Sequence, residues 1–208
     1  MVVAALGLSC PVTGLALPTG STATSSAEMQ GAHVVSWGRV EVAATPELAF
    51  QVLTDYENME DFLPGMLTSE VIVRDGNRVV VDQSADEGVF LFRQRVAARL
   101  AIDEAPPYRL TIRALSGSFK ELTGSYVLTR RRDRTLIEYR SRFLPTFHIP
   151  PMIGMYAVQR SLERHLAALA EEMNRRTAVA GSGRVRAAEA DAPVPAPLET
   201  EPKVPRGE

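Results

Sequence analysis

Apolar and polar residues alternate through the middle of this chain, and the period turns helical at only two places. Residues 33–43 are β-rich. Thr45-Pro46-Glu47 then offers a capping hydroxyl followed by proline at the first helical position, which predicts a helix through Leu53 with Ala49, Phe50, Val52 and Leu53 on its apolar side. Residues 56–63 read as a second short helix, stopped by Pro64-Gly65. Strands then follow without a helix between them, over 67–74, 78–85, 89–103, 108–115, 119–130 and 135–144. The turns fall at 75–77, at 86–88, at Pro106-Pro107, at 116–118 and at 131–134. In 89–103, Phe90, Phe92, Gln94, Val96, Ala98, Leu100 and Ile102 share one face, opposite Arg93, Arg95 and Arg99. In 108–115, Leu110, Ile112 and Ala114 oppose Arg109, Thr111 and Arg113. Leu122, Gly124, Tyr126 and Leu128 line up in the next strand. In the last, Ile137, Tyr139, Ser141 and Phe143 oppose Glu138, Arg140 and Arg142. After a linker over 145–151 the period becomes helical, and Met155, Val158, Leu162, Leu166, Leu169 and Met173 form one apolar stripe.

The order β-α-α-β6-α is an α+β pattern. Short turns make the later strands an antiparallel meander with one dry and one wet face. The wet face is rich in arginine and cannot pack on a second sheet, so the dry face needs another cover. The last helix carries the only large apolar stripe. The prediction is a curved antiparallel sheet of about seven strands around a long C-terminal helix. A curved sheet touches a straight rod only in part, which leaves a gap between them.

The two ends read differently. Residues 1–27 hold no charged side chain; an apolar run is followed by the small, polar stretch 19–27. This looks like a secretory leader, with Ser25 and Ala27 suited to a cleavage site, although no lysine or arginine precedes the apolar run. We therefore expect residues 1–32 to be a signal-like or flexible segment and the protein to be exported, to the periplasm or beyond; a cytoplasmic location is the alternative. No apolar run in this segment reaches the roughly 20 residues of a membrane span. From residue 177 the chain is rich in Ala, Pro, Gly and Glu, and residues 177–208 read as a disordered tail. The working domain is then 33–176.

Composition narrows the chemistry. A net charge of −2 asks for no polyanionic partner. The single cysteine, Cys10, permits no internal disulfide, and His33, His148 and His165 have no metal-ligand spacing. No metal or other cofactor is expected.

Two segments carry a family resemblance. Val52-Leu53-Thr54-Asp55-Tyr56-Glu57-Asn58-Met59-Glu60-Asp61-Phe62-Leu63-Pro64-Gly65-Met66 resembles the "tDYeN-x-x-x-F-x-P" segment of the bacterial cyclase/dehydrase group. Gly117-Ser118-Phe119-Lys120-Glu121-Leu122-Thr123-Gly124-Ser125-Tyr126 is similar to that group's "G-P-F-K-x-L-x-G-x-W", departing at Ser118 and Tyr126. The group lies within the START-like, SRPBCC helix-grip superfamily and includes coenzyme-Q-binding START-like proteins and RatA-type ribosome-association proteins. The resemblance implies the helix-grip fold and a hydrophobic ligand, and leaves the ligand open, because this fold serves many chemistries.

The residues expected to line the site are Phe92, Gln94, Val96, Leu110, Ile112, Tyr126, Tyr139, Ser141 and Phe143 from the sheet, with Met155 and Leu162 from the helix. The informative members are polar groups on the dry face: Gln83, Gln94, Ser141 and the two phenols, since buried polar groups need partners. Phe143, Leu144, Phe147, Ile149, Met152, Ile153, Met155 and Tyr156 crowd one end, as a mouth for a greasy ligand or a contact with a membrane surface, or as a loop folded onto the helix. The arginine face lacks interleaved aromatics, which argues against nucleic acid. His165 can face inward, but no catalytic set accompanies it. The reading is a non-enzymatic binder or carrier of a lipid-, quinone- or isoprenoid-like molecule. The alternatives are a polyketide cyclase/aromatase-like enzyme and a RatA-like protein- or ribosome-interaction module.

Overall fold

The computed structural model describes residues 22–89, 92–149 and 151–190. Its elements are β1 (Thr24–Gln30), β2 (His33–Val42), α1 (Pro46–Leu53), a short 3-10 turn (Tyr56–Asn58), α2 (Met59–Phe62), β3 (Met66–Asp75), β4 (Arg78–Val89), β5 (Phe92–Ala105), β6 (Arg109–Gly117), β7 (Phe119–Arg131), β8 (Arg134–Pro145) and α3 (Pro151–Ala190). The strands form one antiparallel sheet in the order β1-β2-β8-β7-β6-β5-β4-β3.

Local chemistry explains the breaks. The Thr45 side chain accepts from the Leu48 amide at 3.3 Å and Pro46 opens α1. Gly65 has φ +85°, and a Cβ there would stand 2.7 Å from the Asp86 carbonyl oxygen. Only glycine lets the chain enter β3 so close to β4. The closeness is used: the Asp86 amide donates to the Gly65 carbonyl at 2.8 Å. Gly117, at φ +115°, meets the Ala97 carbonyl in the same way.

Three features differ from the expectation. The sheet has eight strands, because residues 24–30 pair with β2 in register from Thr24↔Arg39 to Gln30↔His33. The sheet thus begins at Thr24, ahead of His33, and the small residues offered as a cleavage region, Ser25 and Ala27, are half-buried in β1. Short polar side chains suit a strand that packs under a helix, which is why this one reads as a tail in sequence. Second, Asp86-Glu87-Gly88 is no turn: Asp86 pairs with Arg95 and Gly88 with Arg93, so the hairpin extends to Val89 and Phe92. Phe90 lies outside the described residues. Third, α3 runs to Ala190 instead of ending at Arg176. Its last stretch has no proline to stop the helix, and its alanines favour continuation although Gly181 and Gly183 weaken it. Residues 1–21, with Cys10, and 191–208 lie outside the described residues.

The core sits between the inner sheet face and the helices. Val40, Val42, Val79, Val81, Leu110, Leu128 and Ile137 come from the sheet, Phe50 and Val52 from α1, and Leu162, Leu166, Leu169 and Met173 from α3; all are buried. Among the described residues no helix is long and apolar enough to cross a membrane.

Candidate functional site

Strand register lays the inner face out in rows. One row runs Gly38–Tyr139–Tyr126–Leu110 across β2, β8, β7 and β6. The next runs Ser36–Ser141–Gly124–Ile112–Ile102 across β2, β8, β7, β6 and β5. A third, nearer the start of α3, is Val34–Phe143–Leu122.

The two inner glycines show how the helix sits on these rows. At Gly38 the helix is in contact: an added Cβ would lie 2.5 Å from Leu166 Cδ1 and 3.2 Å from Leu162 Cδ2. At Gly124, two strands away, the three nearest atoms to such a Cβ are the Arg140 carbonyl oxygen, the Tyr139 hydroxyl and Ser141 Cβ, at 3.5–3.7 Å, and all belong to the sheet. Among the described residues, the α3 backbone comes close to β1, β2 and β4 and meets the middle strands through side chains, as in the Tyr126–His165 contact. The helix is gripped at its flanks and spans the middle of the sheet.

Polar groups concentrate under that span. Tyr126 Oη and His165 Nε2 are hydrogen-bonded at 3.1 Å, joining β7 to α3. The Tyr126 and Tyr139 rings, a cross-strand pair, stack at 4.7 Å with a 42° tilt. Ser36 and Ser141, also a cross-strand pair, share a buried hydroxyl–hydroxyl bond of 2.8 Å. Burial pushes the Tyr126 phenol well above its ordinary pKa, and the neighbouring Tyr139 adds to this. Burial pulls the His165 imidazole down from 6.5 to about 4. His165 keeps a little exposure as a residue, but its ring is enclosed. Both groups are neutral at pH 7 and act as hydrogen-bonding groups, not as an ion pair.

The expected lining residues divide as follows. Leu110, Tyr126, Ser141 and Leu162 are buried on the inner face; Ile112, Tyr139, Phe143, Val96 and Met155 are half-buried. Phe143 meets Phe119 edge-on at 5.5 Å. Gln94 is exposed and donates to the Arg95 carbonyl at 3.0 Å, apart from the inner rows, because β5 reaches beyond the core there. The side chain of Phe92 lies outside the described residues. Gln83 is satisfied locally, donating to Ser69 Oγ at 2.9 Å. Ser36 was missed, yet it follows Val34 in the same alternation and precedes Val40, a signal for the inner face. His165, one turn from Leu162 and Leu169, faces inward as the stripe allows; its pairing with Tyr126 carried no signal in the sequence.

At the crowded end, Leu144, Phe147 and Ile149 are half-buried and Tyr156 is exposed. Ile149 packs against Gly154, where a Cβ would collide with it, so the linker folds onto the start of α3. The side chains of Met152 and Ile153 lie outside the described residues. On the wet face, Arg99 grips Asp82 in a bidentate pair at 2.6 and 2.7 Å and Arg95 meets Asp86 at 3.2 Å. Arg142 bonds His33, which in turn meets Glu121. The side chain of Arg93 lies outside the described residues. No group of three or more His, Cys, Asp or Glu is placed to hold a metal ion among the described residues.

Residues 42–170 match the family described as "Polyketide cyclase / dehydrase and lipid transport". That span is more than half of the chain, and the protein belongs to this family, a hydrophobic-ligand-binding branch of the helix-grip superfamily. Solved structures agree on the fold. An aromatase/cyclase from Streptomyces sp. R1128 superposes with a TM-score of 0.58 at 20% identity, covering 70% of this chain and 96% of its own. A START superfamily protein from Mycobacterium smegmatis gives 0.58 at 16%, covering 68% and 97%. A STAR-related lipid transfer protein from Xanthomonas axonopodis gives 0.59 at 14%, covering 73% and 93%. No curated protein sequence matches the chain.

Proposed function

We propose that this protein binds and carries a lipid-like small molecule, of the quinone or isoprenoid kind, between the middle strands and α3. The observation that supports this reading is that Leu166 and Leu162 of α3 sit directly on Gly38 of β2, whereas the three atoms nearest to a Cβ at Gly124, two strands away, all belong to the sheet. The face beneath the span is apolar, with a few hydroxyls, the usual lining of a small-molecule site. Two assays test it: organic extraction and mass spectrometry of protein purified from native cells, and titration with Nile red. A copurified lipophile and saturable dye uptake, reduced tenfold or more by Gly124→Leu, are the expected results. Absence of both would sink the proposal.

A second reading is favoured by one observation, the Tyr126–His165 bond. A neutral imidazole on a phenol can pass a proton, and a cyclase-like enzyme would use such a pair. It requires that His165→Leu abolish turnover of a poly-β-ketone substrate while the protein stays folded. Export belongs to the same proposal. A cut before Thr22 leaves β1 whole, and amino-terminal sequencing of the protein from native cells checks where the mature chain begins.

A further inference from the structure

The inner polar groups differ from the satisfied pairs elsewhere in the molecule in what they leave available. The reasoning rests on the carrier reading above and concerns which end of a ligand meets which residues. We infer that the ligand carries an uncharged oxygen head group, a hydroxyl or a carbonyl, seated against Tyr126 and His165 with the Ser36–Ser141 pair beside it.

Proton bookkeeping gives the first argument. Tyr126 has one donor and two acceptor sites, and a neutral imidazole has one donor and one acceptor. Where Nε2 accepts the phenol proton, the Tyr126 oxygen is left as an acceptor for a ligand hydroxyl. Where Nε2–H donates instead, the phenol proton is left for a ligand carbonyl. One side-chain pair therefore serves either head group by exchanging tautomers, with no backbone movement. The Ser36 and Ser141 hydroxyls can reverse their shared bond in the same way, since either can be the donor.

Charge gives the second argument. The inner-face positions of β2, β6, β7 and β8 are Val34, Ser36, Gly38, Val40 and Val42; Leu110, Ile112 and Ala114; Leu122, Gly124, Tyr126 and Leu128; and Thr135, Ile137, Tyr139, Ser141 and Phe143. None bears a charge. The His165 imidazole is neutral at pH 7, since its burial draws its pKa to about 4. The arginines set against buried carboxylates, Arg74 on Glu104 and Arg176 on Glu172, lie on other elements and are already paired. A carboxylate entering under α3 would shed its water and meet no cation, which is costly. Selection against anions thus comes from the same residues that welcome a neutral oxygen.

Space gives the third. Gly124 lies between Ser141 and Ile112 in the row next to Tyr126, and a Cβ there would meet the Tyr139 hydroxyl at 3.6 Å and Ser141 Cβ at 3.7 Å without clash, so the backbone at this row is approached by no helix side chain at that distance. A head group seated against the Tyr126–His165 pair would lie beside this small residue and the tilted tyrosine pair.

The test is a matched set of probes titrated at pH 7 into the full-length protein: naphthalene, 2-naphthol, 2-acetylnaphthalene and 2-naphthoate. We expect 2-naphthol and 2-acetylnaphthalene to bind about tenfold or more tighter than naphthalene, and 2-naphthoate no tighter than naphthalene. The Tyr126→Phe/His165→Leu double variant removes both partners together, so neither is left buried without its bond. It should bring both neutral oxygen probes to the level of naphthalene and leave naphthalene within about twofold. Naphthoate binding as tightly as naphthol overturns the inference, and so does a double variant that keeps the oxygen preference. Naphthalene binding with no oxygen preference overturns the head-group assignment and leaves the carrier reading standing. Failure of all four probes to bind overturns both.

Discussion

At the scale of single residues, His165 and Gly38 show what enclosure under α3 demands. Unfolded, the imidazole titrates near 6.5; folded, near 4. Between these values the unfolded state binds the extra proton, so stability is full above about pH 6.5, falls as pH drops toward 4, and is flat below. The loss is on the order of 3 kcal/mol from this group alone. Urea denaturation at pH 7 and pH 4.5 should reveal it, and His165→Leu should flatten that part of the profile. A profile unchanged by the substitution would mean that the ring is reached by water. Glu172 falls in a different window. Its bonds to Arg175 and Arg176 hold it down from 4.5 to about 2, so its contribution is lost only as pH falls through that lower range. Gly38 makes a steric prediction. Leu166 and Leu162 occupy the space a side chain would need, so Gly38→Val should cost about 1–3 kcal/mol by overpacking. Gly124→Ala, with only ordinary contacts ahead of it, should cost far less in the same urea assay.

At the scale of elements, the residues that carry the family resemblance turn out to be joinery. Asp55 accepts from Arg176 of α3 at 2.6 Å and from Asn58 at 2.7 Å; the Tyr56 hydroxyl donates to Glu104 of β5 at 2.9 Å; Phe62 lies under the Arg176 guanidinium. Together they clamp the small helices to α3 and β5. Asp55→Ala would leave Arg176 without one partner at a half-buried site and should cost about 1–3 kcal/mol in urea unfolding, with oxygen-probe binding little changed. Ser118 is similar: its amide donates to the Ala97 carbonyl at 2.7 Å and its hydroxyl accepts from the Ala97 amide at 3.0 Å, a reciprocal pair that the proline common at this position could not make. Such roles explain what was legible in the sequence. The meander, the arginine face and the α3 stripe follow from a period of two or 3.6, which needs no tertiary knowledge. β1 was not legible, because Thr24–Gln30 holds one large apolar side chain, Met29, and gains its place from partners: the Ser25 hydroxyl donates to the Gln159 carbonyl and the Gln159 amide donates back to the Ser25 carbonyl. Alternation named Tyr126, Tyr139 and Ser141. It could not say that Tyr126 meets His165 or that Ser36 meets Ser141, since those pairs are set by strand register and by how the helix crosses the sheet.

At the scale of the whole molecule, a gripping fold needs only part of its helix. The stripe from Leu162 to Met173 is buried, whereas Ala178, Val179, Ala180, Gly181 and Ser182 are exposed on a helix that runs on to Ala190. The Arg176–Asp55 and Arg176–Glu172 bonds lie just before that change, so among the described side chains the last anchored turn of α3 is also its last packed one. Every row of the inner face, and every residue proposed to meet a ligand, lies on the near side of it. Residues 178–182 are exposed, and solvent-exposed helix adds little to stability because it is only marginally favourable by itself. A chain ending after Thr177 should therefore unfold within about 0.5 kcal/mol of the full-length protein and keep its preference for 2-naphthol over naphthalene. Ending the chain after Arg175 should behave differently, since it removes the guanidinium that joins α3 to Asp55 and covers Phe62. Urea melts and probe titrations on the two truncations place the boundary. If the longer one loses stability or binding, the extension packs on the domain in solution and the helix serves more than the grip.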